Sequence, residues 1–78
     1  MRIITERYAQ FRRNNPKFTG CILDPLKVQR WLVNGKLHRT EGPALEYADG
    51  SKYWYLNGEE TTEKQVMRLK KLKAFMSQ

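Results

Sequence analysis

Trp31–Gly35 reads WLVNG, and Trp54–Gly58 reads WYLNG, the same phrase 23 residues later (31 to 54). A chain of 78 residues that repeats itself at this spacing must build much of its body from one local unit used twice. Asn-Gly and Asp-Gly favour type I′ turns, because both central residues of such a turn need positive φ. Three such dipeptides are present, at Asn34-Gly35, Asp49-Gly50 and Asn57-Gly58. The first predicts a hairpin of QRWLV with KLHR, with Leu32 opposite Leu37 and Trp31 opposite His38. The second predicts ALEYA paired with SKYWYL, with Leu45 opposite Trp54 and Tyr47 opposite Lys52. Period-two alternation then places Leu45, Tyr47, Trp54 and Leu56 on one face and Ala44, Glu46, Tyr53 and Tyr55 on the other.

Upstream, CILDPLKVQRW has the same eleven-residue length, ending in Trp, as ALEYADGSKYW. It reads as a degenerate earlier copy with its turn near Asp24-Pro25. Gly42-Pro43 ends the KLHR strand, because proline cannot donate to a central ladder. Residues 21–60 are therefore expected to form an antiparallel meander of four or five short strands. Both ends read as helices. Thr5 is placed to cap a helix through ERYAQFRRN, with Tyr8 and Phe11 on one face and Pro16 as its stop. Thr62 and Gln65 have capping-box spacing ahead of a second helix, whose expected apolar stripe is Val66, Leu69, Leu72 and Met76. A sheet with one apolar face needs covering, so the expected fold is α+β: one domain over 1–78, with a helical region at 1–20, the meander at 21–60 and a helix at 61–78.

Charge separates the ends from the middle. Residues 1–20 hold Arg2, Arg7, Arg12, Arg13 and Lys17 against Glu6, a net of +4. Residues 61–78 hold Lys64, Arg68, Lys70, Lys71 and Lys73 against Glu63, again +4, while the middle carries −1. These ten cations are the candidate nucleic-acid contacts, expected to merge into one field if both helices pack on the same sheet face. Tyr53 and Tyr55 are candidate base-stacking rings wherever their strand face is uncovered, and core residues wherever a helix covers it. With no RNA-recognition, zinc-finger or helix-turn-helix signature, binding is expected to read backbone and shape, RNA before a defined DNA sequence.

Catalytic and metal chemistry find little support. His38 is the single histidine and Cys21 the single cysteine, so no zinc-ligand spacing, catalytic set or cofactor site is expected. A His38–Arg39–Glu41 cluster has the residue types for acid–base cleavage of RNA. The structural reading is preferred: His38 stacked on Trp31, and Arg39 paired with Glu41 or capping a carbonyl. Cys21 is expected as a small buried residue in a reducing compartment. MRIITERYAQF contains no long apolar run, so neither a secretion signal nor a membrane span is expected, and the cytoplasm is the expected location.

The stretch Trp31–Gln65 resembles a repeat family of the form W-x-x-N-G-x-x-H-R-x-x-G-P-A, followed by an Asp-Gly turn and a further W-Y-x-N-G, found in small proteins of tailed bacteriophages and some giant viruses. Trp31, Asn34, Gly35, His38, Arg39, Gly42, Pro43, Ala44, Asp49, Gly50, Trp54, Asn57 and Gly58 carry the likeness. It implies a phage origin and, for so short a chain, a host-takeover or counter-defence accessory, such as an antitoxin-like neutraliser of an RNA-acting toxin or nuclease. Expected partners are RNA or another nucleic acid, and a host defence protein. The rival expectation is an inhibitor that docks on an acidic host protein without nucleic-acid affinity. A second copy of the chain is a further candidate partner, through an incomplete sheet edge.

Overall fold

The computed structural model describes the backbone of residues 1–76 and the side chains through Leu72. It is a small α+β fold of two helices and a mixed sheet. In chain order the elements are β1 (Arg2–Ile3), α1 (Tyr8–Asn14), β2 (Gly20–Leu23), β3 (Gln29–Val33), β4 (Lys36–Leu37), β5 (Leu45–Glu46), β6 (Lys52–Leu56), β7 (Glu59–Thr61) and α2 (Glu63–Met76). The sheet runs β1-β2-β3-β5-β6-β7, with β4 also on β3. β1 pairs with β2 in parallel and the other pairs are antiparallel.

Both Asn-Gly turns form as the local chemistry dictates. Asn34 and Gly35 have φ of 51° and 80°, and Asn57 and Gly58 have 52° and 86°, the two successive positive values of a type I′ turn. Leu32 faces Leu37 across the first. The Asp-Gly turn differs from expectation. Gly50 alone is left-handed, at φ 93°. Its N–H donates to the Tyr47 carbonyl (3.0 Å), and the Tyr47 N–H donates to Ser51 (2.9 Å). This is a three-residue loop, Ala48–Gly50, rather than a two-residue one. The extra residue moves the register by one: Leu45 pairs with Tyr53 and Glu46 with Lys52. The expected grouping of Leu45 with Trp54 and Leu56 is therefore corrected, and Tyr53 and Tyr55 fall on the Leu45 face.

The same loop occurs upstream. Lys27 N–H donates to Asp24 (2.9 Å) and Asp24 N–H to Val28 (3.2 Å), with Lys27 at φ 64° in the place of Gly50. Pairs Leu23↔Gln29 and Ile22↔Arg30, advanced by the 23-residue offset, become Glu46↔Lys52 and Leu45↔Tyr53. Pairs Leu32↔Leu37 and Val33↔Lys36 become Tyr55↔Glu60 and Leu56↔Glu59. The fold is thus two three-stranded units, β2–β3–β4 and β5–β6–β7, in matching register. They interlock: β5 pairs with the start of β3, while Arg39 N–H reaches the Tyr55 carbonyl (3.3 Å) and Gly58 N–H the Leu37 carbonyl (2.8 Å).

Two further expectations change. Ahead of the expected Thr5 cap, Arg2–Ile3 form a strand not expected from the sequence. Ile4 is 5% exposed and its N–H reaches Leu23 (3.0 Å), so sheet pairing and apolar burial outweigh the Thr5 cap. The first helix begins only after Arg7. Asn15 closes it, its N–H and Nδ2 both donating to Phe11, just ahead of Pro16. At the second helix Thr62 Oγ1 accepts from the Gln65 N–H (3.2 Å), the expected cap. Val66 is buried, but Leu72 is 51% exposed, so the apolar stripe docks only near its start. The Met76 side chain lies outside the described residues.

The main core is Ile4, Phe11, Ile22 and Leu32, flanked by Tyr8, Phe18 and Leu37. Buried Asp24 ties this unit to α1. Its Oδ1 accepts from the N–H groups of Leu26 (2.9 Å) and Val28 (3.0 Å), and its Oδ2 from Arg30 (2.8 Å). The Arg30 guanidinium in turn lies 3.8 Å from the Tyr8 ring centroid. Burial pushes the Asp24 carboxyl up, but the Arg30 hydrogen bond, the Val28 N–H, the Arg30 charge and the Leu26 N–H together hold it below the usual carboxylate range.

A depressed carboxylate contributes stability above its unfolded value that is lost as pH falls through the folded one. Urea midpoints followed from about pH 6 to about pH 2 should fall for the wild type below about pH 4, and Asp24→Asn should lose that part of the acid limb. An unchanged acid limb in Asp24→Asn would remove the assignment. The glycines offer a second check. A Cβ on Gly35 would sit 1.9 Å from the Pro16 carbonyl oxygen, whereas one on Gly50 meets nothing within 4 Å. Gly50→Ala should cost about 1–2 kcal/mol from its positive φ alone, and Gly35→Ala clearly more by urea unfolding. Equal losses would mean that the close approach at Pro16 is not maintained.

Candidate nucleic-acid interface

Cross-strand partners point to the same side of a sheet, so registers assign every side chain to a face. Ile22, Arg30, Leu45 and Tyr53 form one row across β2, β3, β5 and β6. Ile22 packs on Phe11 in the core cluster and Arg30 lies against Tyr8, so α1 covers this face. The next row, Leu23, Gln29, Glu46 and Lys52, points the other way. Lys52 and Trp54 line a groove of about 570 Å³ with Val66, Met67, Lys70 and Lys71, so α2 covers the opposite face. The two basic helices are therefore separated by the sheet. The expected single merged field does not form, for the topological reason that Tyr53 and Trp54 are successive residues of β6 and so point to opposite faces.

On the α1 face, Arg7, Arg12, Arg13 and Lys17 are exposed. Arg12 and Arg13 share a shallow concavity of about 440 Å³ with Lys36, beside the Asn34–Gly35 turn. Lys36 was not among the expected contacts, since it belongs to the near-neutral middle of the sequence. Arg2 is exposed too, but its guanidinium leans on the core rings, 5.1 Å from the Phe11 centroid and 5.7 Å from that of Phe18. On the α2 face, Lys64, Arg68 and Lys71 are exposed, while Lys70 Nζ bonds Glu41 at 2.6 Å. The Lys73 side chain lies outside the described residues. Among the described residues the ion pairs are Lys70–Glu41 and Arg30–Asp24, so most of the candidate cations keep no carboxylate partner there.

The α1 face also carries an aromatic platform. Tyr47 and Tyr53 meet edge to face, 5.7 Å between centroids, and are 41% and 38% exposed. Tyr55 is half-buried beside them. Its hydroxyl is pushed above the usual phenol range, first by burial and then by the negative charges of Glu60, Tyr47 and Tyr53 when ionised. Tyr53 stands two strands from Arg30, about 10 Å at the usual interstrand spacing, past the cover of α1. Of this trio, Tyr47 was missed because the two-residue turn placed it on the other face. A signal for it was present: Pro25 suits the second position of a type I turn, and reading ALEYADGSKYW in the same way as CILDPLKVQRW puts Tyr47 beside Tyr53.

His38, Arg39 and Glu41 each engage a different partner. His38 Nδ1 accepts from the Asn57 N–H (3.0 Å), fastening one turn to the other unit. Arg39, rather than His38, stacks on Trp31, 3.9 Å from the ring, and its Nη1 donates to the Pro43 carbonyl (3.2 Å). Glu41 takes Lys70. Gln29 Nε2 meets buried Cys21 Sγ at 3.3 Å. No described helix is long and apolar enough to cross a membrane.

Arg39→Ala should lower stability by about 1–2 kcal/mol, through the lost cation–π contact and carbonyl bond. Arg39→Lys should recover only part of it, since a lysine cannot stack as a plane. Chemical denaturation checks this, and an Arg39→Ala midpoint equal to wild type would show that the stack contributes nothing. Beyond the geometry itself, no protein-family model, curated protein or solved structure matches the chain.

Proposed function

We propose that this chain is a non-enzymatic phage accessory protein that binds single-stranded RNA on its α1 face and thereby counters a host defence, such as an RNA-acting toxin or nuclease. Tyr47, Tyr53 and Tyr55 stack unpaired bases, and Arg7, Arg12, Arg13 and Lys17 neutralise the backbone. The observation that carries this reading is the coincidence, on one sheet face, of three partly exposed tyrosines and a set of cations with no carboxylate partner among the described residues. Stacking tolerates any base and the phosphates supply affinity, the combination used by single-strand readers. The phage assignment rests on the repeat resemblance, and the host cytoplasm follows from it.

Tyrosine and arginine also anchor protein interfaces, so the second reading is an inhibitor that docks this same face on an acidic host protein. Fluorescence anisotropy with a labelled 20-nucleotide RNA separates the two. Tyr53→Leu should weaken binding by about 1–3 kcal/mol, the usual worth of one stacked base. Arg12→Gln with Arg13→Gln should reduce the slope of log affinity against log salt by about 1.4, two phosphates' worth on a single strand. A wild-type chain, stripped of nucleic acid, that shows no RNA affinity at physiological salt would overturn the first reading and favour the second.

A further inference from the structure

We infer that α2 carries a second, independent polyanion site, so that one chain bridges two nucleic-acid segments. The inference rests on the RNA reading above and extends it to the face that the tyrosines do not occupy. Lys64, Arg68 and Lys71 follow one another at intervals of four and three residues along α2. At 1.5 Å of rise per residue they span about 10 Å of helix, the length of about three phosphates along one strand of a duplex. All three are exposed and none has a carboxylate partner among the described residues. Met67 and Leu72, each about half exposed, line the same surface and present apolar contact to sugars.

The helix itself favours an anion there. Among its described side chains only Val66 is buried and Leu69 half-buried, so packing supports little of its length. Like charges four and three residues apart, as in Lys64–Arg68 and Arg68–Lys71, repel along a helix. A polyanion laid on this row relieves that repulsion and steadies the helix. The sheet keeps the two sites apart. The molecule is 20 Å through its thinnest direction, more than twice the roughly 8 Å screening length at physiological salt, so each cation cluster acts on its own ligand. A strand held on Tyr47 and Tyr53 cannot also lie on α2 without passing round the sheet edge.

The test mixes the wild-type chain with two 20-nucleotide RNAs, one carrying a donor dye and one an acceptor. Energy transfer reports bridging, anisotropy reports binding, and native mass spectrometry counts chains and strands. The wild type is expected to give energy transfer through a species of one chain and two RNAs. The triple variant Lys64→Gln, Arg68→Gln, Lys71→Gln, with its fold checked by circular dichroism, should still bind one RNA within about threefold and lose the transfer. Bridging by the triple variant at the wild-type level would overturn the inference, as would bridged species that contain two chains. Wild type that binds one RNA without transfer would also overturn it and leave the α1 reading standing; wild type that binds none would overturn both.

Discussion

The loops Pro25–Lys27 and Ala48–Gly50 each place three residues between paired strand ends, where an Asn-Gly turn places two. That one-residue difference decides which side of the sheet every following side chain occupies. With three, Tyr47, Tyr53 and Tyr55 gather on the α1 side and Trp54 faces Val66 on the other. With two, Trp54 would have shared a side with Leu45, and Tyr53 and Tyr55 would have lain on the opposite side with Glu46. The location of the cations follows from the same choice, since each helix docks wherever its unit presents apolar surface.

The two units share a backbone and diverge in content, and the candidate site arises from that divergence. At equivalent positions the first unit has Arg30 and the second Tyr53. Arg30 binds Asp24 and lies on Tyr8, so its unit holds a helix in place. Tyr53 has no such anchor and no helix above it, and its ring meets solvent and Tyr47. Leu32 and Tyr55 repeat the contrast: the leucine is part of the main core, and the tyrosine is half open. One copy has become scaffold and the other has kept an accessible surface.

What was legible in the sequence was what a single local interaction decides. Asn34-Gly35 and Asn57-Gly58 allow few conformations and formed the expected turns; Thr62 capped its helix and Pro16 followed the end of the other. The Asp49-Gly50 loop was ambiguous because a glycine at positive φ satisfies a two-residue and a three-residue turn equally well. β1 could not be read, since a two-residue strand exists only by virtue of its partner, and Ile4 is buried by residues distant in sequence. The candidate cations were legible as a list, but not their fates. Arg2 lies over Phe11, Lys70 meets Glu41, and Lys36 joins Arg12, all through contacts that cross the chain.

The two margins of the sheet are chemically unlike, and this bears on self-assembly. β7 ends one margin with exposed Glu59 and Glu60, so two copies zipped together there about a twofold axis would bring like carboxylates face to face. β1 ends the other with Arg2 and Ile3, a template two residues long. Opposite charge would favour copies adding head to tail, the geometry that propagates fibres, yet so short a rung offers a growing filament little backbone to grip.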